Sequence, residues 1–175
     1  PVYYSINGCL VTRNSQILVA GCKNGIIPNG IVSIGANAFS GYIFSSITIP
    51  DSVTSIGFAA FSSCNNLTKI DFGNKITNIG SYAFTSCKGL INVIIPESVT
   101  TIDSYAFWYC DNLTEITIGN NVTKIGSEAF DGCDSLTTVN YKGTEEQWDS
   151  ISIGARNEDL TNANIIYNYG VATPT

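Results

Sequence analysis

The sequence predicts a mostly β, α/β solenoid, and three observations carry that prediction. A unit of about 23 residues recurs five times: Phe39, Phe61, Phe84, Phe107 and Phe130 are separated by 22, 23, 23 and 23 residues, and Ile34, Ile56, Ile79, Ile102 and Ile125 keep the same intervals. A unit this short cannot bury its own apolar side chains, so the copies must stack and share one continuous core. Within each copy the last apolar positions alternate with polar ones, as a strand with one buried face requires. The expected architecture is a stack of about five coils with a parallel β-sheet, short helical turns, a hairpin cap at the N-terminus and a helix-strand cap at the C-terminus.

Each coil divides into two chemistries. Its first half reads V-T-x-I, then a small-residue turn and A-F, with Ala38, Ala60, Ala83, Ala106 and Ala129 one residue before each Phe. This predicts a short strand followed by a single helical turn that inserts the ring into the core. Its second half is anchored by Leu67, Ile70 and Phe72, by Leu90, Val93 and Ile95, by Leu113, Ile116 and Ile118, and by Leu136, Val139 and Tyr141. Stacked strands pair about 4.8 Å apart, so five coils make a ribbon on the order of 24 Å wide.

Both ends read as caps, which a finite stack needs. Tyr3 to Thr12 forms two strands about Asn7-Gly8, a hairpin signal, and Ile17 to Ala20 supplies a third. At the other end Thr144-Glu145-Glu146-Gln147 has the capping-box pattern and starts a helix that carries Trp148 and Ile151 over the open core. Leu160, Ala163 and Ile165 repeat the spacing of the strand anchors, a degenerate sixth strand. The expected division is one domain over 1–170, made of a cap (1–25), repeats (26–143) and a second cap (144–170), with a tail over 171–175.

Over residues 26–143 the chain resembles the BspA-like leucine-rich repeat family, on the pattern I-P-[DE]-S-V-T-x-I-x-x-x-A-F-x-x-C-x-x-L-x-x-I-x-I quoted at Ile49 to Phe72 and Ile95 to Ile118. The segment around Gly143, Trp148 and Tyr167 resembles the cap of bacterial members. The resemblance implies a right-handed solenoid on the surface of a bacterium or secreted by it, acting in adhesion or in contacts with host or neighbouring cells, without conserved catalytic residues.

Composition narrows the partners. Lys and Arg total 8 against 14 Asp and Glu, a net charge of −6, which leaves little cationic surface to release counterions from nucleic acid or to hold an anionic membrane. No apolar run approaches the roughly 18 residues of a membrane span. The chain has no Met and opens on Pro1, so it reads as a segment of a longer protein whose targeting signals lie elsewhere. The surface of short neutral polar groups suits an extracellular or cell-surface setting.

Cys64, Cys87, Cys110 and Cys133 occupy one place in successive coils, three residues after each Phe. A disulfide ladder is disfavoured because equivalent side chains in stacked coils point in parallel, and a metal site because there is no C-x-x-C pair and no His. Four buried thiols serving as small apolar spacers is the expectation. Cys9 and Cys22, in adjacent cap strands, are the better disulfide candidates. No metal or other cofactor is expected.

The absence of His also removes Ser-His-Asp and Cys-His nucleophilic systems. Asp71 and Glu115 lie two coils apart, about 10 Å by strand spacing, at the edge of an inverting glycosidase's carboxylate separation, but neither has an apolar pocket to raise its pKa. The expectation is therefore not an enzyme. Two surfaces remain as binding candidates. On the strand face the outward positions include Ser46, Thr48, Lys69, Asp71, Asn92, Ile94, Glu115, Thr117, Thr138 and Asn140. On the turn side Tyr82, Tyr105, Trp108 and Tyr109 gather aromatic rings where other coils carry polar residues. The leading reading is a non-enzymatic module that presents the strand face to an extracellular protein or glycan. The alternative is a structural spacer within a cell-wall-associated protein, suggested by the Pro/Thr-containing tail.

Overall fold

Phenylalanine rings are what each coil contributes to the core, and they stack into one column. Phe39, Phe61, Phe84, Phe107 and Phe130 follow one another with ring centroids 5.1, 5.1, 5.3 and 5.2 Å apart and planes within 11° of parallel. The computed structural model describes residues 2–22 and 25–170. The proposed tail over 171–175 lies outside the described residues.

The chain opens on β1 (Tyr3–Ile6), β2 (Cys9–Thr12) and β3 (Ile17–Ala20), the hairpin and third strand expected of the cap. Asn7 and Gly8 both take positive φ at the hairpin turn, which is why Asn-Gly is favoured there. Coils then alternate two-residue and longer strands: β4 (Ser33–Ile34), β5 (Ser46–Thr48), β6 (Ser55–Ile56), β7 (Lys69–Asp71), β8 (Asn78–Ile79) and β9 (Asn92–Ile95). They continue through β10 (Thr101–Ile102), β11 (Glu115–Ile118), β12 (Lys124–Ile125) and β13 (Thr138–Tyr141). Helix α1 (Glu145–Asp149), β14 (Ser152–Ile153), α2 (Glu158–Thr161) and β15 (Asn164–Ile166) complete the described residues.

Two ladders run along the stack. The short strands join the cap into a nine-stranded sheet, β1-β2-β3-β4-β6-β8-β10-β12-β14. The longer strands form the opposite ladder, parallel and in the register of the repeat, so that Ile116 faces Val93 on one side and Val139 on the other. Because β14 pairs with β12 and β15 with β13, the C-terminal cap completes a sixth coil.

Two expectations are corrected. The ribbon of long strands is not continuous: it divides into β5-β7 and β9-β11-β13-β15. At the division Ile91 stands where coils 2, 4 and 5 have Thr68, Thr114 and Thr137, whose hydroxyls donate to the carbonyls of Ser45, Ile91 and Thr114 in the coil before. Coil 3 has no hydroxyl to make this cross-coil clamp. The expected helical turn before each Phe is also not an α-helix. Alternate backbone N–H groups leave the coil: Tyr82, Phe84 and Ser86 donate to Ser104, Ala106 and Trp108 of the next coil, while Ala83, Thr85 and Cys87 bond within their own turns. Half of the N–H donors are thereby diverted and the others bond three residues back, so a chain of tight turns with residues at positive φ results in place of an i→i−4 ladder.

Each coil aims these N–H groups at its successor, so the last coil would leave them orphaned in the interior. The cap supplies the acceptors instead. The Ala155 carbonyl takes Glu128 N–H at 2.9 Å, Asn157 Oδ1 takes Phe130 N–H at 3.0 Å and Asp159 Oδ2 takes Gly132 N–H at 2.9 Å, with a further bond from Cys133 N–H at 3.1 Å. Buried Asn157 also donates through Nδ2 to the carbonyls of Gly126 and Gly154. Helix α1 has the full capping box, Thr144 with Gln147, and its Trp148 lies buried edge-on to Tyr141 at 5.2 Å, as a lid.

The coil thiols are buried and free, and they do more than fill space. Cys64, Cys87, Cys110 and Cys133 donate to the carbonyls of Phe39, Phe61, Phe84 and Phe107 at 3.1 to 3.3 Å, tying each coil to the one before. In coil 1 the Tyr42 hydroxyl does the same toward Gly21 at 2.8 Å. Cys9 and Cys22 form a disulfide across the N-terminal cap, although Cys22 lies just beyond β3 rather than within it.

Candidate functional site

The long-strand ladder sets the strand-face residues in columns one coil apart. Ser46, Lys69, Asn92, Glu115 and Thr138 form one column, and Thr48, Asp71, Ile94, Thr117 and Asn140 the other. Toward the N-terminal end Thr48 and Asp71 line a groove of about 450 Å³ with Asn29 and Asp51, and Ser46 and Thr48 line a neighbouring one of about 450 Å³. Toward the C-terminal end Asn92, Ile94, Glu115 and Thr117 line a third of about 320 Å³, closed on one side by Lys142 and Tyr169.

Thr117 and Asn140 are buried, contrary to their expected place on an open face. The segment after β15 turns back over the last coils, anchored by Asn168 N–H to the Gly143 carbonyl at 2.8 Å and by Tyr169 N–H to the Tyr141 carbonyl at 3.0 Å. Asn140 then spends its amide on the Glu115 carboxylate. Lys69, Asp71 and Asn92 stay open to solvent, and Glu115 and Thr138 are half-buried.

Among the five repeats coil 3 is the exception on this polar face. Ile91 is 51% exposed and Ile94 62% exposed, at positions filled by Thr or Ser, and by Thr, Asp or Asn, in coils 1, 2, 4 and 5, while the capping sixth coil carries Ala163 and the 41% exposed Ile166 there. Ile94 lines the third groove together with Tyr169. The Ile pair is legible in the sequence. Tyr169 carried no local signal, because only the closing of the sheet brings it there.

The turn side brings its four predicted rings together. Tyr82 and Tyr105 stack at 4.5 Å, Trp108 stands edge-on to both at 6.3 and 5.5 Å, and Tyr109 lies 4.4 Å from Trp108. A fifth ring, Phe58, extends the column from coil 2 at 5.3 Å from Tyr82. Aligning the coils would have found it, since it replaces Ser81, Ser104 and Ser127 of later copies. The polar ends of the rings are held by coil 5: Tyr105 Oη donates to Glu128 at 3.0 Å and Trp108 Nε1 to Asp131 at 2.9 Å. Arg156 lies 3.4 Å from the first carboxylate and 3.7 Å from the second. The bond to Glu128, before any effect of burial, raises the Tyr105 phenol above its ordinary range.

Tyr82, Tyr105 and Tyr109 hold φ of 59°, 63° and 55°. Other coils use Asn37, Ala59 and Glu128 at the first of these positions, and Gly41, Ser63, Ser86 and Gly132 at the second. A bulky L-residue in this region costs roughly 1–2 kcal/mol, so three such rings are held against backbone preference. A Cβ at Gly132 would fall 2.3 Å from the Tyr109 ring, which shows how closely that ring lies on the next coil.

Among the described residues no His, Cys, Asp or Glu cluster could hold a metal ion, and no helix is long and apolar enough to cross a membrane. The family profile described as BspA type leucine rich repeat region matches residues 22–152 in 6 copies. Among solved structures, a leucine-rich cell surface protein from Faecalibacterium prausnitzii A2-165 is similar at 34% identity and a TM-score of 0.81, over 86% of this chain and 42% of that one. The leucine-rich repeat protein of T. pallidum is similar at 27% identity and a TM-score of 0.69, over 79% of this chain and 67% of that one. A leucine-rich repeat protein from Eubacterium ventriosum, 20% identical with a TM-score of 0.70 over 99% of this chain and 51% of that one, shares the fold. The chain thus spans about two fifths of the F. prausnitzii protein, and no curated protein matches it. Six in-register coils, a matched profile over three quarters of the length and a 34% identical relative give one conclusion: the chain belongs to the BspA-type leucine-rich repeat family.

Proposed function

We propose that this chain is a non-enzymatic interaction module of a bacterial surface or secreted protein, and that it engages an extracellular protein through its strand face. The observation that carries the proposal is the exposed Ile94, which lines a groove with Tyr169, together with the exposed Ile91 three residues before it. Large apolar side chains on an otherwise Thr, Ser and Asn surface mark a contact region, and a groove at their side gives a partner's side chain somewhere to seat. Lys69, Asn92 and Glu115 in the adjoining column supply polar groups of both charges around the apolar centre, the arrangement of a dry core with a wet rim. Strands β9, β11 and β13 are hydrogen-bonded in register before binding, so little ordering cost opposes association.

A surface setting is supported by the F. prausnitzii relative, described as a cell surface protein. Adhesion is the use of such contacts that fits the family. The matched profile is that of a repeat scaffold rather than of an enzyme family, and the face offers no residue arrangement for turnover.

An extracellular-matrix protein array probed with the wild-type chain is expected to give at least one ligand whose binding falls by about tenfold or more on changing Lys69, Asn92 and Glu115 together to Ala. A wild-type chain that captures nothing, or a triple variant that binds unchanged, would remove the strand face from consideration.

A further inference from the structure

The aromatic column on the turn side is a separate surface, independent of the strand-face proposal. We propose that it is a binding platform for a neutral glycan chain, a hexose or N-acetylhexosamine polymer, laid along the solenoid axis.

Two rings define its open surface. Phe58 is 53% exposed at one end and Tyr109 is 46% exposed at the other, while Tyr82, Tyr105 and Trp108 between them are half-buried by one another. Sugar rings present C–H bonds on one face and hydroxyls at the edge, so they pair with an aromatic surface rimmed by hydrogen-bonding groups. That rim is present: the Glu128 and Asp131 carboxylates are fixed against the rings and against the exposed Arg156. An apolar protein partner would instead favour a dry patch with the polar groups removed to its margin.

Charge selects among glycans. Two carboxylates face one guanidinium here, and the whole chain carries −6, so sulfated, sialylated or uronic acid polymers meet repulsion. Orientation selects for a chain rather than a single sugar, because rings from coils 2, 3 and 4 continue one another along the stack. The rings are also preorganised. Three of them sit on left-handed residues whose backbone is locked by cross-coil hydrogen bonds, such as Tyr82 N–H to Ser104 and Tyr105 N–H to Ser127, and fixed groups lose little freedom on binding.

The test uses Trp108 emission. The other tryptophan, Trp148, is buried in the C-terminal cap and gives a constant background. Cello-, laminari-, manno- and chito-oligosaccharides are titrated into the wild-type chain and into the Phe58→Ser, Tyr109→Gly double variant. Those substitutions install the residues that equivalent coils already use, and Gly relaxes the positive φ at position 109. At least one oligosaccharide is expected to shift wild-type emission saturably, with affinity rising with chain length and falling about tenfold or more in the variant, whose circular dichroism is unchanged. The proposal is overturned if none of the four series shifts the emission. It is equally overturned if the variant binds as well as wild type, if only sulfated polysaccharides bind, or if the rings prove necessary for a protein ligand while no oligosaccharide binds.

Discussion

Between pH 9 and pH 10.5 the protein is expected to lose much of its stability, because four buried thiols resist ionisation in the fold and not outside it. Burial pushes Cys64 up to about 11 and pushes Cys87, Cys110 and Cys133 higher still, with neighbouring negative charges adding to the effect. The reference thiol titrates at 9.0. Above that pH the unfolded chain releases protons that the native chain retains, so stability is complete below pH 9 and falls as pH rises toward the native values. At pH 10 each thiol costs about 1.4 kcal/mol of stability, about 5–6 kcal/mol for the four, which is comparable with the whole stability of an ordinary domain. Cys9 and Cys22 take no part, being bonded to each other. Urea unfolding at a series of pH values is the measurement. A steep slope between pH 9.5 and 10.5 is expected, and it should fall when Cys64, Cys87, Cys110 and Cys133 are all changed to Ala, leaving the smaller slope of Tyr105, Tyr141 and Tyr167, whose phenols the fold also raises. A flat profile in the wild-type chain would show that the thiols are not held out of water.

Phe84→Ala is expected to cost about 3–5 kcal/mol, the range for deleting a buried ring. Phe84 sits at the middle of the column, stacked on Phe61 at 5.1 Å and Phe107 at 5.3 Å and met edge-on by Phe72 at 5.8 Å. Solenoid stability is a sum of coil terms and nearest-neighbour interfaces, so a gap at the middle weakens two interfaces at once. Coil 3 is also where the long-strand ladder already divides. The unfolding curve should therefore shift to lower denaturant and broaden, as the two halves begin to separate. A loss below about 1 kcal/mol would mean that neighbouring rings close the gap, contrary to a rigid stack.

The period made the stack legible because every coil solves the same burial problem with the same residues. Phe, Ile, Ala and Cys therefore fall in columns once their spacing is read. The caps were legible for a different reason: Asn7-Gly8 and Thr144 with Gln147 are local signals whose hydrogen bonds close within a few residues. The turns before each Phe were misjudged because A-F at a fixed offset mimics helical spacing, while the N–H groups that decide the matter bond to the next coil. On the strand face, Thr117 and Asn140 have outward positions in the repeat and are covered by a segment that returns from beyond β15. Tyr169 reaches Ile94 across 75 residues of sequence by the same return. In the aromatic column four rings were legible as departures from the polar pattern. Their anchoring by Glu128 and Asp131 could be read only once the coils were known to stack in register.

The strand face is tested most directly by giving coil 3 the residues of its neighbours. Ile91→Thr with Ile94→Thr restores a Thr found in coils 2 and 4 at the first position and in coils 1 and 4 at the second, on side chains that already face solvent. Because Ile91→Thr also admits the cross-coil hydroxyl bond made by Thr68, Thr114 and Thr137, Ile94→Thr alone is measured beside the double variant, and a loss of binding shared by both reports the contact itself. Titrated by calorimetry against the matrix protein captured on the array, the double variant is expected to bind about tenfold or more weakly than the wild-type chain, with thermal unfolding unchanged or raised. Equal affinity for the two chains would contradict a strand-face contact centred on this pair.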